Sequence, residues 1–324
     1  TDSKHLEYYR GDGIGWSDIE ASHGQLGGGT GSNTGTGARG VFFGRATPTI
    51  VNDIDFITIP TLGDAQDFGD MSSVAYTYGT SASQTRGFAA GGLTPHGDVI
   101  DFIIFSSTGN ATDTGNLTQS RYVIKGGCSD LTRSVWAGGQ NVVSPYGAYD
   151  IIDYITSASG GDAVDFGNLI VAQTGMSSNS SSTRGIWCGG AATATNVIQY
   201  VTIQTTGNTV DFGDNTYTLN SGSGCSNATR GLLAGGYSPN VNTINYITMA
   251  TTGNSTDFGD LLLARSHFGS CSSPTRAVFA SALGNQDSMD TVEIMTTGNA
   301  VDFGDLTDGG HNIAGTSNAH GGLG

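Results

Sequence analysis

Lysine and glutamate are almost missing from this chain: two Lys (Lys4, Lys125) and three Glu (Glu7, Glu20, Glu293) in 324 residues. These residues normally clothe the exposed faces of helices, so a mainly helical protein is not expected. Only six prolines accompany 52 glycines, which argues against collagen and proline-rich linkers. Long apolar runs are absent as well. The longest sheet-like stretch, Ile100 to Phe105, is interrupted by Asp101 and falls far short of the ~18 residues that read as a membrane span. Positive charge is scarce, with 12 Lys plus Arg and a net charge of −16. Such a surface repels phosphate backbones, so neither nucleic acid nor an anionic membrane is an expected partner. The opening residues give no targeting signal to read.

Absences also narrow the chemistry. Cys128, Cys225 and Cys271 each precede a recurring Arg by five residues, and equivalent positions in separate repeats do not bring thiols within bonding range. The six His show no ligand spacing and no EF-hand pattern is present. The carboxylate pairs Asp67/Asp70, Asp211/Asp214, Asp257/Asp260 and Asp302/Asp305 read as solvated turn residues, a bridging cation being the alternative. No metal, no cofactor and no catalytic residue is expected. Asp-Phe-Gly stands without the other kinase motifs, and no nucleophile elbow occurs.

What the chain does have is Thr, Ser, Asn, Asp and Gly around short Ile, Val, Phe and Tyr runs, the composition of strands joined by tight turns. It also repeats. Arg39, Arg86, Arg133, Arg184, Arg230 and Arg276 are spaced 47, 47, 51, 46 and 46 residues apart. Asp67, Asp113, Asp165, Asp211, Asp257 and Asp302 keep the same period, each followed by Phe-Gly except at Thr114-Gly115. The unit from Gly224 to Leu261 divides into four short strands, which is the pattern of a propeller blade. A stacked solenoid is the alternative architecture.

Six repeats of about 46 residues fill roughly 30–310. Ser317-Asn318-Ala319 matches Ser226-Asn227-Ala228, while Leu6 to Tyr9 and Trp16 to Ile19 match the third and fourth strands of a unit. The sequence therefore predicts a single domain over 1–324, a seven-bladed β-propeller of four-stranded blades. Its seventh blade is expected from 1–25 plus 308–324, shared between the termini.

The Gly pairs at 91–92, 138–139, 189–190 and 235–236, with Phe56, Phe102, Tyr154, Tyr200 and Tyr246 in the third strand, resemble a degenerate Kelch repeat. Kelch blades carry Trp in the fourth strand where Phe68, Phe166, Phe212, Phe258 and Phe303 stand here. The fuller string from Thr296 to Leu306 is similar to repeats in virion structural and tail-fibre proteins of marine bacteriophages, including cyanophages. That resemblance implies a non-enzymatic particle component located in the virion or outside the cell. It further implies virion proteins or a host-surface glycan as partners, with a homo-oligomer within the particle as a further possibility.

In a four-stranded blade the turns around the repeated Arg and the Thr-Gly-Asn turns share one face. The variable loops gather on the other. There Tyr146, Tyr149, His96 and Tyr237 are the candidate ligand-binding residues, aromatic surfaces suited to stacking on sugars or packing against protein. The six Arg are expected to tie turn carbonyls or the nearby Asp, and the repeated Asp to shape turns. Two other readings are open: a propeller glycan lyase or hydrolase with acidic or His residues at the axis, and an intracellular Kelch-type adaptor.

Overall fold

The computed structural model describes residues 7–9, 16–18, 38–47, 49–93, 97–122, 125–141 and 146–323. Six antiparallel four-stranded sheets make up most of it. Blade 1 takes its innermost strand, Ala314–Ser317, from the end of the chain and continues with Arg39–Thr47, Thr49–Thr58 and Gln66–Asp70. Blades 2 to 5 follow in order. Their innermost strands are Gly79–Ala82, Gly127–Ser129, Ser177–Ser180 and Ser223–Ser226; their outermost are Thr112–Asn116, Val164–Asn168, Val210–Asp214 and Thr256–Asp260. Blade 6 runs from Gly269–Ser272 to Val301–Gly310.

Each innermost strand lies against those of the blades on either side, and Ala314–Ser317 touches both Gly79–Ala82 and Gly269–Ser272, so the ring closes at six. Third strands such as Val197–Thr202 and Thr243–Thr248 are buried on both faces through their middle, because a neighbouring blade covers each side. Among the described residues there is no α-helix and no helix long and apolar enough to cross a membrane.

The blade number corrects the expectation of seven. Ser317 pairs with Gly40 and Thr316 with Val41, and Asn318 Oδ1 accepts from Arg39 N at 2.8 Å, as Asn227 Oδ1 does from Arg230 N in blade 5. The terminal strand thus belongs to the first repeat, and no blade is left over. Glu7–Tyr9 and Trp16–Asp18, expected in a shared seventh blade, form a two-stranded antiparallel sheet of their own. Period counting failed because the first repeat was credited with an inner strand before Arg39, a place that the chain's end fills.

Three sets of contacts join the blades. The outermost strand carries a β-bulge at Asp-Phe-Gly: Ile198 faces Gly213 while Gln199 faces Asp211, leaving Phe212 out of the ladder. The motif is therefore a bulge and not the turn that the sequence suggested. The bulge turns Phe212 into the wedge edge-on to Tyr200, with centroids 5.8 Å apart. It also lets the next blade's turn lie on the strand: Gly253 N donates to Phe212 O at 2.7 Å and Asn254 Oδ1 accepts from Asp214 N at 2.9 Å. Gly213 holds φ +145°, and a Cβ there would stand 2.5 Å from the Gly253 carbonyl. The same joint recurs between all six neighbouring pairs, covering sheet edges that would otherwise be open.

On the face of the short turns lies the second set. Every repeat Arg donates to a carbonyl just beyond the third strand of the next blade: Arg39 to Phe105, Arg86 to Ala158, Arg133 to Ile203, Arg184 to Met249, Arg230 to Ile294 and Arg276 to Ile59, at 2.6 to 3.1 Å. In five blades the guanidinium also stacks on its own third-strand aromatic at 4.2 to 4.7 Å. Arg276 lacks that ring and pairs with Glu293 at 3.2 Å. The repeated Asp67, Asp113, Asp165, Asp211, Asp257 and Asp302 are exposed on the outermost strands and do not meet these Arg in any described ion pair.

The third set lies near the loop face. Each third strand buries a polar residue at the same place, Asp55, Asp101, Asp153, Gln199, Asn245 or Asp290. It bonds the segment following the previous blade's outermost strand, as Asp101 accepts from Ser72 N and Oγ and Asp153 from Thr118 N and Oγ1. Arg45, Arg121 and Arg265 neutralise Asp55, Asp153 and Asp290 at 2.8 to 3.0 Å. Gln199 and Asn245 are neutral. Asp101 has no cation in contact among the described residues.

Candidate functional site

The innermost strands leave a channel along the ring axis, a cavity of about 580 Å³ in part open to solvent. Bulk is kept out of its wall by residues that alternate around the ring: Thr80, Gly127, Ser178, Gly224 and Ser270, each six before a repeat Arg, and Gly315 on the terminal strand. Each hydroxyl donates to the carbonyl of the glycine beside it, Thr80 to Gly315, Ser178 to Gly127 and Ser270 to Gly224, at 2.7 to 3.1 Å. A second tier repeats the device, with Ser226, Ser272 and Ser317 donating to the carbonyls of Ser180, Ser226 and Ser272. Carbonyls cannot donate, so these hydroxyl protons are committed to the wall, and the oxygens remain as acceptors.

Towards the short-turn face the channel has a floor. The chain end folds under it in a 3-10 turn, Gly321–Leu323, with His320 Nε2 3.1 Å from Ser129 Oγ. Burial holds His320 down at about 4, so it is neutral near pH 7.

The mouth opens on the loop face. Around it stand residues in left-handed conformation, among them Thr77 (φ 62°), Ser221 (φ 53°), His267 (φ 59°) and Asn312 (φ 58°), linked by backbone bonds from Asn312 N to His267 O and His267 N to Ser221 O. Lys125, at φ 43°, is also left-handed but stands one residue further along its repeat, eight before Arg133 where Thr77, Ser221 and His267 stand nine before theirs. Its position, eight before the repeat Arg, holds Met176 in blade 4 and Phe268 in blade 6, both buried in the wedges. Lys125 instead lines the channel, with Nζ shut off from solvent and no hydrogen-bond partner among the described residues. Burial without a counter-charge pulls its ammonium down to about 7. Burial, then the Lys125 charge and His311, hold His267 at about 3; His311 is lowered by burial and by Lys125.

Of the residues expected to bind ligand, Tyr146 and Tyr149 lie three positions apart on the blade 3 loop that precedes the third strand, Ile151–Thr156. Tyr146 is 63% exposed. Tyr146 and Tyr76 lie near enough to Tyr122 to raise its ionisation, after the larger effect of its own burial; Tyr149 lies beside Arg121 in the same way. Tyr237 belongs to a different part of the rim, on blade 5, edge-on to His267 at 5.4 Å. His96 falls outside the described residues. The four cysteines are free and buried, and among the described residues no three His, Cys, Asp or Glu gather as metal ligands.

Lys125 and the buried polar row of the third strands escaped sequence reading, although each leaves a trace. A polar residue precedes the third-strand aromatic in Ile-Asp-Phe, Ile-Asp-Tyr, Ile-Gln-Tyr and Ile-Asn-Tyr alike, and Lys125 breaks an apolar column once the repeats are aligned on Arg. No protein-family model and no curated protein matches this chain.

Proposed function

We propose that this chain is a non-enzymatic recognition disc, a structural or attachment component of a virus particle. Its loop face would engage another virion protein or a host-surface glycan. The observation that carries the reading is the contrast between the faces. One is six copies of the same Arg-anchored turn, whereas the other gathers Tyr76, Tyr122, Tyr146 and Tyr149 at one sector of the rim. Rings with a polar tip on a backbone fixed by sheet bonding favour stacking on sugars or protein at low entropic cost. A ring stapled at every blade boundary suits a component that must keep its shape. The resemblance of the Thr-Gly-Asn and Asp-Phe-Gly strings to phage repeats supplies the particle context.

The test has two arms. Mass spectrometry of purified particles should find the chain, and a glycan array probed with the whole chain should show binding that Y146A with Y149A weakens by about tenfold, or 1.4 kcal/mol. The double variant should keep the wild-type melting temperature. Absence from particles, or binding that ignores both substitutions, would overturn the reading. Release of product from a bound glycan would place the chain among glycan-active enzymes instead.

A further inference from the structure

The axial channel invites a question that the rim tyrosines do not answer: why a chain of net charge −16 encloses one of its two lysines, with no carboxylate among the described residues lining the same cavity. A buried ammonium without a partner among the described residues is costly. The wall is equally specific. Thr80, Ser178 and Ser270 present oxygens whose protons are given to carbonyls, Ser270 Oγ also lying 2.7 Å from Ser223 Oγ, so the lining combines one strong cationic donor with a tier of acceptors. Its complement carries one negative group for Nζ and at least one O–H for the wall.

We propose that the axial channel binds a small protonated oxyanion of the hydrogen phosphate type, either free phosphate or the phosphoryl end of a phosphomonoester, held by Lys125 Nζ and donating to the oxygens of Thr80, Ser178 and Ser270. Sulfate has the same shape and charge class but no proton near neutral pH, so an acceptor wall rejects it. That rejection is the signature that separates this site from an ammonium that merely attracts anions. The titratable groups facing the cavity do not compete: His267 at the mouth and His320 at the floor are held neutral, His311 is lowered by burial and by Lys125, and the Cys225 and Cys271 thiols are pushed up by burial. The inference stands apart from the rim and survives loss of Tyr146 and Tyr149.

Calorimetry on the whole chain at pH 6, in a buffer free of oxyanions, tests it with phosphate, glycerol phosphate and sulfate. Phosphate or glycerol phosphate should bind one to one, the tighter of the two identifying the source, with sulfate weaker by about tenfold or more. K125M, which removes the charge and keeps an unbranched side chain, should abolish binding. Equal binding of sulfate and phosphate, an unchanged affinity in K125M, or no binding of either phosphate compound overturns the proposal. Should K125M fail to fold, ¹³C labelling of lysine gives a second readout. Only two ε-carbon resonances exist, and K4Q assigns them. The Lys125 midpoint, about 7 in the free chain, should rise by about one pH unit with phosphate, the equivalent of tenfold preference for the charged form. It should not move with sulfate; a midpoint indifferent to phosphate would overturn the site.

Discussion

The two polar girdles that hold the blades together follow opposite rules. On the short-turn face the same Arg makes the same bond to the next blade six times over. Towards the loop face the equivalent place is filled by an Asp paired with Arg in blades 1, 3 and 6, an unpaired Asp in blade 2, Gln in blade 4 and Asn in blade 5. The lower girdle joins a half-buried cation to backbone carbonyls, which every repeat supplies, so one solution serves all. The upper girdle must match side chains to loops that differ from blade to blade, and each boundary has found its own solution. Uniformity marks the face where only backbone must be matched; variation marks the face where side chains must be matched to loops, and it is the face that the proposed function uses.

The largest test strikes the upper girdle where charge is most enclosed. Arg121→Met should destabilise the fold by about 3–5 kcal/mol in urea unfolding, because it leaves Asp153 without its ion-pair partner in a site wholly out of solvent. Arg121→Met with Asp153→Asn should recover most of that loss. If the single and double variants unfold alike, the pair is not what joins that boundary.

Next comes the outer joint, which the comparison treats as invariant. Gly213→Ala should cost roughly 2–4 kcal/mol, combining a left-handed backbone with a collision against the Gly253 carbonyl. Gly253→Ala, at φ +156° but with open space around it, should cost only about 1 kcal/mol. A thermal melt showing equal losses would mean that close approach is not the reason for the glycine in Asp-Phe-Gly.

In the lower girdle, Arg184→Ala and Arg230→Ala should each cost about 1–3 kcal/mol, from one charge-assisted bond to a carbonyl and one aromatic stack. The two values should agree within a few tenths. A marked difference would break the equivalence of the blades.

The smallest expected effect has the opposite sign. Burial raises the Asp101 carboxyl, with nearby Asp113 adding to it, and one of its oxygens has no partner. A carboxyl raised in the fold favours folding only when protonated. The penalty of its charge is therefore full at pH 7, shrinks as pH falls through the folded value, and is gone below the unfolded value of about 3.9. Asp101→Asn, copying Asn245 of blade 5, should raise stability by about 1 kcal/mol at pH 7, with the gain fading towards pH 4. A gain independent of pH would show that charge is not the cause.

Much of the blade was legible before any coordinates. The Arg column marks the start of the second strand and the Asp-Phe-Gly column the middle of the fourth because every repeat must make the same local bonds, and Ile-x-Tyr runs read as buried strands because the blades on either side demand it. The candidate site was legible only in part. Tyr146 and Tyr149 could be picked out as aromatic residues on a variable loop, whereas their neighbours Tyr76 and Tyr122 come from other connections and meet them only in the folded ring. Lys125 was passed over since its meaning depends on the direction of one side chain.

Sequence by itself determined the four-stranded unit, its repetition and the face on which variation collects, since each depends on residues close together along the chain. Ring closure decided the rest. Whether Ala314–Ser317 completes the first repeat or begins another blade depends on how far each wedge turns the sheet, a property of packing between blades that no single repeat encodes. The same closure creates an axis, and only with an axis does a solitary lysine face six strands at once.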